Sequence, residues 1–399
     1  MKFGTMRATG TAVALAGLMC TLATGPAQAA STPVGWEGQA LSLSAAQRLS
    51  QGQGVTVAVL DSGVDVDHPA LKGKVTTGPD YRQDGLEPGD SKWGQHGTAM
   101  ASDVLKVAPK AKILSVRVTS DKDSPEAGEK EQEEAMKQGQ GRVAKGIRYA
   151  VDHGADVISM SFGSNDTFLS FDAEETRAVA YALRAGVTLL ASAGNDGDGL
   201  NAAQYPSGYA GVISVAATKP GNGHADFSTV HTYNDVAAPG VGITSATNTG
   251  GYETVDGTSP ACALAAGVVA LMHAKNPKLT PAQANDILSA TAHHPAGGGS
   301  ALLGYGPINA AAAVKAAASP PKDTTAPVAY KGKVHLAAPD GTPKTKNAPL
   351  EQGLWMTGLA AAGGGLVFLI GGALLAMWGR RKHSAVAAGM HQPQGAFRG

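Results

Sequence analysis

The sequence predicts an α/β domain in which a mainly parallel sheet is covered by helices on both faces. Three observations predict it. Short apolar, β-branched runs recur through the middle of the chain, as in strands buried on both sides. Segments of helical period alternate with them, which favours a three-layer architecture. Glycine separates the two: the 399 residues include 53 glycines and only 5% aromatics. A hydrophobic share of 43% excludes a disordered chain.

The elements follow in order. Residues 1–29 stand outside the fold and read as a secretory signal peptide. Lys2 and Arg7 give a positive start, Thr11 to Ala23 form a mostly apolar run, and Ala27-Gln28-Ala29 is a small-residue cleavage pattern. The mature chain then begins at Ala30. Val55 to Leu60 is the first strand run. Ile113 to Val118, Val157 to Met160, Val187 to Ala191 and Val212 to Ala216 are the others. Helices are expected at His96 to Leu105, Val143 to His153 and Asp172 to Ala185, and from Ser259 through Met272. Another opens at Thr280, an N-cap, with Pro281 in the first helical position. Asp121 to Arg142 interrupts the alternation with seven acidic and four basic residues. It reads as a solvated loop with a short helix or as an acidic rim beside a cleft.

The folded domain spans residues 30–318. Residues 319–353 form a Pro/Lys-rich linker, with six prolines that keep it extended. Leu354 to Trp378 carries no charge. Its 25 residues would reach about 37 Å as a helix, enough to cross a bilayer. Trp355 and Trp378 bracket it, and Arg380, Arg381 and Lys382 follow. The basic stop predicts a single span at 354–378, a cytoplasmic tail at 379–399 and an extracellular domain.

Composition narrows the function. Thirty-two basic and 32 acidic residues cancel, so charge gives no reason to expect a nucleic-acid partner. There are two cysteines. Cys20 falls in the signal segment, which leaves Cys262 without a disulfide partner or a Cys-based zinc site.

Three motifs stand at element ends: Asp61-Ser62-Gly63, His96-Gly97-Thr98 and Gly257-Thr258-Ser259. A serine hydroxyl needs a base to become a nucleophile, and His96 is expected to accept the Ser259 proton. The imidazolium needs a buried anion, which Asp61 can supply. Acyl transfer also builds negative charge on a carbonyl oxygen. Asn195 and the Ser259 N–H can stabilise it.

The order Asp…His…Ser is that of the subtilisin type of triad. With Ser161-Phe162-Gly163, Ala193-Gly194-Asn195, Tyr205-Pro206, Asp226-Phe227-Ser228, Val236 to Gly240 and Gly304-Tyr305-Gly306, the chain resembles the subtilisin-like serine peptidases (subtilases) over residues 36–314. The resemblance implies the subtilisin-like three-layer fold and a serine endopeptidase cleaving a polypeptide substrate through an acyl-enzyme. It implies Asp61, His96 and Ser259 as catalytic residues and Asn195 as the oxyanion donor. Ser161, Phe162 and Gly163 would bind extended substrate. Gln204 would floor the pocket for the side chain before the scissile bond. No cofactor is required and no metal ligand is assigned, although structural calcium, common in the family, stays open. The alternative is a catalytically silent, surface-anchored peptide-binding module on the same fold.

The chain also departs from the family. Where subtilases usually have Gly-Thr-Ser-Met-Ala-Ser-Pro, this chain has Gly257-Thr258-Ser259-Pro260-Ala261-Cys262-Ala263. Pro260 is expected to push Ser259 out of helical geometry, and Cys262 to be a buried small residue. About 30 residues separate Ala30 from Asp61, too few for an autoprocessed pro-domain. The layout is similar to the membrane-anchored actinobacterial mycosins, although those usually carry disulfides. A secretion-system partner is left open.

Overall fold

The structure is a computed structural model that describes residues 31–121, 141–163, 172–323 and 352–388. The signal segment, most of the charged interruption and most of the linker lie outside the described residues.

The central sheet has eight strands: β1 (Thr56–Asp61), β2 (Val75–Asp80), β3 (Lys112–Arg117), β4 (Val157–Met160), β5 (Thr188–Ser192), β6 (Val212–Lys219), β7 (Gly223–His224) and β8 (Val236–Pro239). The order β2-β3-β1-β4-β5-β6 is parallel throughout, and β8 also runs parallel to β6. Only β7 is antiparallel. All five predicted strands are present. A separate hairpin, β9 (Ile243–Ala246) and β10 (Tyr252–Val255), lies outside this sheet.

The helices are α1 (Glu37–Ala40), α2 (Leu43–Leu49), α3 (Gln95–Val107), α4 (Arg142–Asp152), α5 (Ala173–Arg184), α6 (Thr258–Lys275), α7 (Pro281–Thr291), α8 (Ala310–Ala317) and α9 (Gln352–Ala388). The period-two alternation of the strands divides the core. Val57, Val59 and Ile113 belong to the layer that holds α3 and α6. Ala58, Leu60, Leu114 and Val116 belong to the layer that holds α4 and α5. The expected three layers result.

α6 is apolar on every side and is buried from Pro260 to His273, as befits a helix enclosed by the core rather than laid on it. Gly267 permits its close approach to α3. A Cβ at that position would lie 2.6 Å from Val107 Cβ and 2.9 Å from the Val104 carbonyl oxygen.

α7 opens with the predicted Thr280 cap, completed by Gln283 into a reciprocal capping box. α1 is tied to α3 by a buried ionic cluster. Lys106 Nζ lies 3.1 Å from Glu37 Oε1 and 3.2 Å from Asp103 Oδ1, with all three side chains sealed from solvent. Burial pushes the Asp103 carboxyl up to about 6, against the pull of Lys106.

α9 contains the predicted apolar span. Met356–Leu375 is a 20-residue exposed stretch with mean hydropathy 2.0, long and apolar enough to cross a membrane. The helix continues to Ala388, so the basic stop is helical as well.

Candidate active site

The site forms where the parallel strands end and two helices begin, the crevice at carboxyl strand ends that open α/β sheets use for ligands. β1 ends at Asp61, β4 leads into Ser161–Gly163, and β5 is followed within three residues by Asn195. α3 brings His96 and α6 brings Ser259.

His96 Nδ1 lies 2.7 Å from Asp61 Oδ1. The carboxylate is buried, while the imidazole keeps 39% of its surface exposed. The Ser62 N–H donates to the same Oδ1 at 2.7 Å and fixes the carboxylate. An ionised carboxylate only accepts, so Nδ1 carries the ring proton and Nε2 is left with a lone pair. Desolvation works against charging the ring. The charge and hydrogen bond of Asp61 overcome it, with further help from Asp121 and Asp103, and His96 stands above the ordinary histidine range.

Ser259 departs from the expected contact. Its Oγ donates to the Ser161 carbonyl oxygen at 2.9 Å, and Ser161 Oγ donates back to the Ser259 carbonyl at 3.1 Å. No hydrogen bond joins Ser259 to His96 in this resting arrangement. The expected effect of Pro260 also fails: Ser259 lies inside α6, whose first residue is Thr258. Tertiary bonds outweigh the preference of a residue before proline. The Ser161 pair holds Ser259, and the Thr258 N–H is held on Asn195 Oδ1 at 2.8 Å. Pro260 sits within the first turn, where a missing N–H costs no intrahelical bond.

The same contact orients Asn195. Its Oδ1 accepts from both the N–H and the hydroxyl of Thr258, each at 2.8 Å. A backbone N–H can only donate, so the amide orientation is determined and Nδ2 remains to donate elsewhere. Gly194 N–H donates in turn to Thr258 Oγ1 at 3.1 Å. Thr258 belongs to the sequence motif, but no local pattern marks it as the clamp on Asn195, a contact across 63 residues.

A cavity of about 360 Å³ adjoins these groups, lined among others by Phe162, Gly163, Asn195, Gln204 and Ser259. Gln204 is 5% exposed. Its N–H donates to Tyr233 Oη at 2.8 Å, and its Nε2 donates to the Ala202 carbonyl at 3.3 Å. Glycine flanks this side chain on both sides and leaves it room. A Cβ on Gly163 would lie 2.5 Å from Gln204 Oε1, and one on Gly194 would lie 2.6 Å from Gln204 Cγ. The expected residues thus fall into two groups: Asp61 pairs with His96, while Phe162, Gly163, Asn195, Gln204 and Ser259 line one cavity, with Ser259 bonded to Ser161 rather than to His96.

Cys262 is buried, with Sγ 3.8 Å from Ser159 Oγ. Burial pushes its thiol up to about 11, so it is an inert core residue. Among the described residues, no group of three or more His, Cys, Asp or Glu side chains is placed to hold a metal ion.

Comparison with known proteins bears on the family and the fold. The subtilase family (peptidase S8) matches residues 52–307. Thermitase of Thermoactinomyces vulgaris is 35% identical over 232 residues, covering 56% of this chain and 76% of the relative. Subtilisin NAT of Bacillus subtilis subsp. natto is 35% identical over 274 residues, 66% of each chain. Among solved structures, the MycP3 protease from the type VII (ESX-3) secretion system superposes with a TM-score of 0.61 at 28% identity, over 71% of this chain and 88% of that one. On the extent of the family match and the shared architecture, the chain belongs to the subtilase family of serine peptidases.

Proposed function

We propose that this chain is a membrane-anchored serine endopeptidase working outside the cell, with Asp61, His96 and Ser259 as its triad. The observation that carries the proposal is the 2.7 Å contact between His96 Nδ1 and buried Asp61, in a site whose cavity is lined by Ser259 and Asn195.

Substrate lies extended along Ser161–Gly163. Its N–H takes the Ser161 carbonyl and releases the Ser259 hydroxyl to turn toward His96 Nε2. Ser259 Oγ then attacks the scissile carbonyl carbon while its proton passes to Nε2. Asp61 stabilises the resulting imidazolium. The oxyanion accepts from Asn195 Nδ2 and the Ser259 N–H. Loss of one such donor costs about 10²–10³ in kcat, a magnitude that comes from a subtilisin. Collapse breaks the C–N bond and His96 returns the proton to the leaving amine. Water, deprotonated by His96, then attacks the acyl carbon; the C–O bond to Ser259 breaks, the acid leaves, and His96 returns the proton to Ser259 Oγ. These steps need no cofactor.

In this proposal residues 1–29 direct export and 30–318 form the peptidase domain. Residues 319–353 are the spacer, 354–378 cross the membrane, and 379–399 stay in the cytoplasm. The likeness to the MycP3 protease from the type VII (ESX-3) secretion system favours a secretion-system context for this chain as well. A fluorophosphonate probe tests the chemistry. Covalent labelling at Ser259 that is lost in Ser259→Ala supports it. A folded wild type that takes no label favours the silent peptide-binding module.

A further inference from the structure

The helix that carries His96 lacks a cap of its own. Its N-cap position is Gly94, at φ 76°, with no side chain to accept a hydrogen bond. A Cβ there would lie 3.0–3.2 Å from the backbone of Gly63 and Val64. A Ser, Thr or Asp cap would therefore displace the loop that follows Asp61. The first three N–H groups of α3 have no intrahelical acceptor, and each finds a side chain from elsewhere in the chain. Gln95 N–H donates to Asp121 Oδ2 at 3.0 Å, and His96 N–H donates to Asp121 Oδ1 at 2.9 Å. Gly97 N–H donates to Ser62 Oγ at 3.1 Å.

Asp121 is itself registered on the triad. It follows β3, which pairs with β1 so that Arg117 stands opposite Asp61. Beyond that pair, the Val118 and Thr119 N–H groups donate to the Asp61 carbonyl at 2.9 and 3.3 Å. One short segment thus holds the backbone of Asp61 and, through Asp121, the backbone of His96. An ionised cap bridging two N–H groups is stronger than a neutral one and places negative charge at the positive end of the helix.

We propose that Asp121 is a positioning residue of the active site, fixing His96 against Asp61 and adding charge that favours the imidazolium. The proposal rests on His96 acting as the general base. The other charges acting on His96 are Asp61 from β1 and Asp103 further along α3, which is paired with Lys106, while Glu253 of β10 meets the neighbouring Gln95 Nε2 at 3.4 Å. Asp121 is distinct from all three because it bonds the His96 backbone itself.

The test is the pH profile of kcat/KM and of fluorophosphonate inactivation, normalised to labelled active sites, for wild type, Asp121→Asn, Asp121→Glu and Ser62→Ala. Asp121→Asn should move the acid limb down by about half a pH unit. It should also lower the plateau about 3–10-fold, mainly in kcat. Asp121→Glu, which keeps the charge, should return the limb toward wild type. Ser62→Ala removes a neutral cap from the same turn and should lower the rate without moving the limb. An unmoved limb in Asp121→Asn, with the wild type labelled normally at Ser259, would overturn the role of Asp121 alone. A wild type that takes no label defeats the peptidase proposal itself.

Discussion

Ser259 rests on the Ser161 carbonyl, so its hydroxyl contributes one hydrogen bond at the start of a helix and little to the core. Ser259→Ala should cut kcat by about 10⁶ and change unfolding free energy by less than about 1 kcal/mol. Comparable turnover by the alanine variant, read with a peptide substrate, would refute the serine mechanism. The base must be neutral to accept a proton, and His96 stands above the ordinary range. The acid limb of kcat/KM is therefore expected above about 6.5. Gln204 carries the specificity expectation. A neutral amide between Gly163 and Gly194 shortens the pocket and offers no full charge. Small to medium uncharged side chains such as Ala, Leu, Met or Gln should be preferred before the scissile bond. A peptide library decides this: a strong excess of cleavage after Arg or Lys would show that the carboxylates of the loop after Asn195, Asp196 in the cavity lining and Asp198 two residues on, control the pocket instead. Asp61, His96 and Ser259 were legible as candidates because each sits in a short motif at an element end. Asp121 was not, because its contact with His96 spans 25 residues and has no local pattern. The turn of Ser259 toward Ser161 was illegible for a related reason: it is a choice between two nearby acceptors, made by packing.

α3 and α6 carry His96 and Ser259, and they touch through Gly267. Gly267→Ala would drive a methyl group into Val107 and the Val104 carbonyl. It should destabilise the domain by about 1–3 kcal/mol and lower kcat more than it raises KM, as calorimetry and steady-state kinetics would show. α5 gives a second expectation. Burial pushes Glu175 from 4.5 up to about 7, although Tyr209 donates to it at 2.9 Å. The folded protein holds that proton more tightly than the unfolded chain, so this group's stabilisation is lost as pH rises from about 4.5 through 7. Glu175→Gln should flatten the dependence of Tm on pH across that window. An unchanged slope would show that Glu175 is not the titrating group. Strands buried on both faces were legible as apolar runs, within a few residues at each end. β2 was not, since Val75–Asp80 reads Val-Thr-Thr-Gly-Pro-Asp and lies at the sheet edge, half exposed. α1 was hidden as well. It has four residues, and the buried Glu37 that secures it would be taken for a surface residue without Lys106.

For the molecule as a whole, the proposed topology puts the peptidase domain outside and residues 319–353 between it and the membrane. Protease added to intact cells should release the domain by cutting in that spacer and leave a fragment that holds α9. Intact protein in the culture medium would refute the anchor. The burial of Cys262 has a separate use. It is the single cysteine expected in the mature chain, three residues from Ser259 and sealed in the core. A small alkylating reagent can reach it only when the packing around α6 opens. Under conditions where closing is fast, the labelling rate is the opening equilibrium multiplied by the rate for a free thiol. Without any engineered label, this sulfur is then a clock for how often the helix that carries Ser259 leaves its seat.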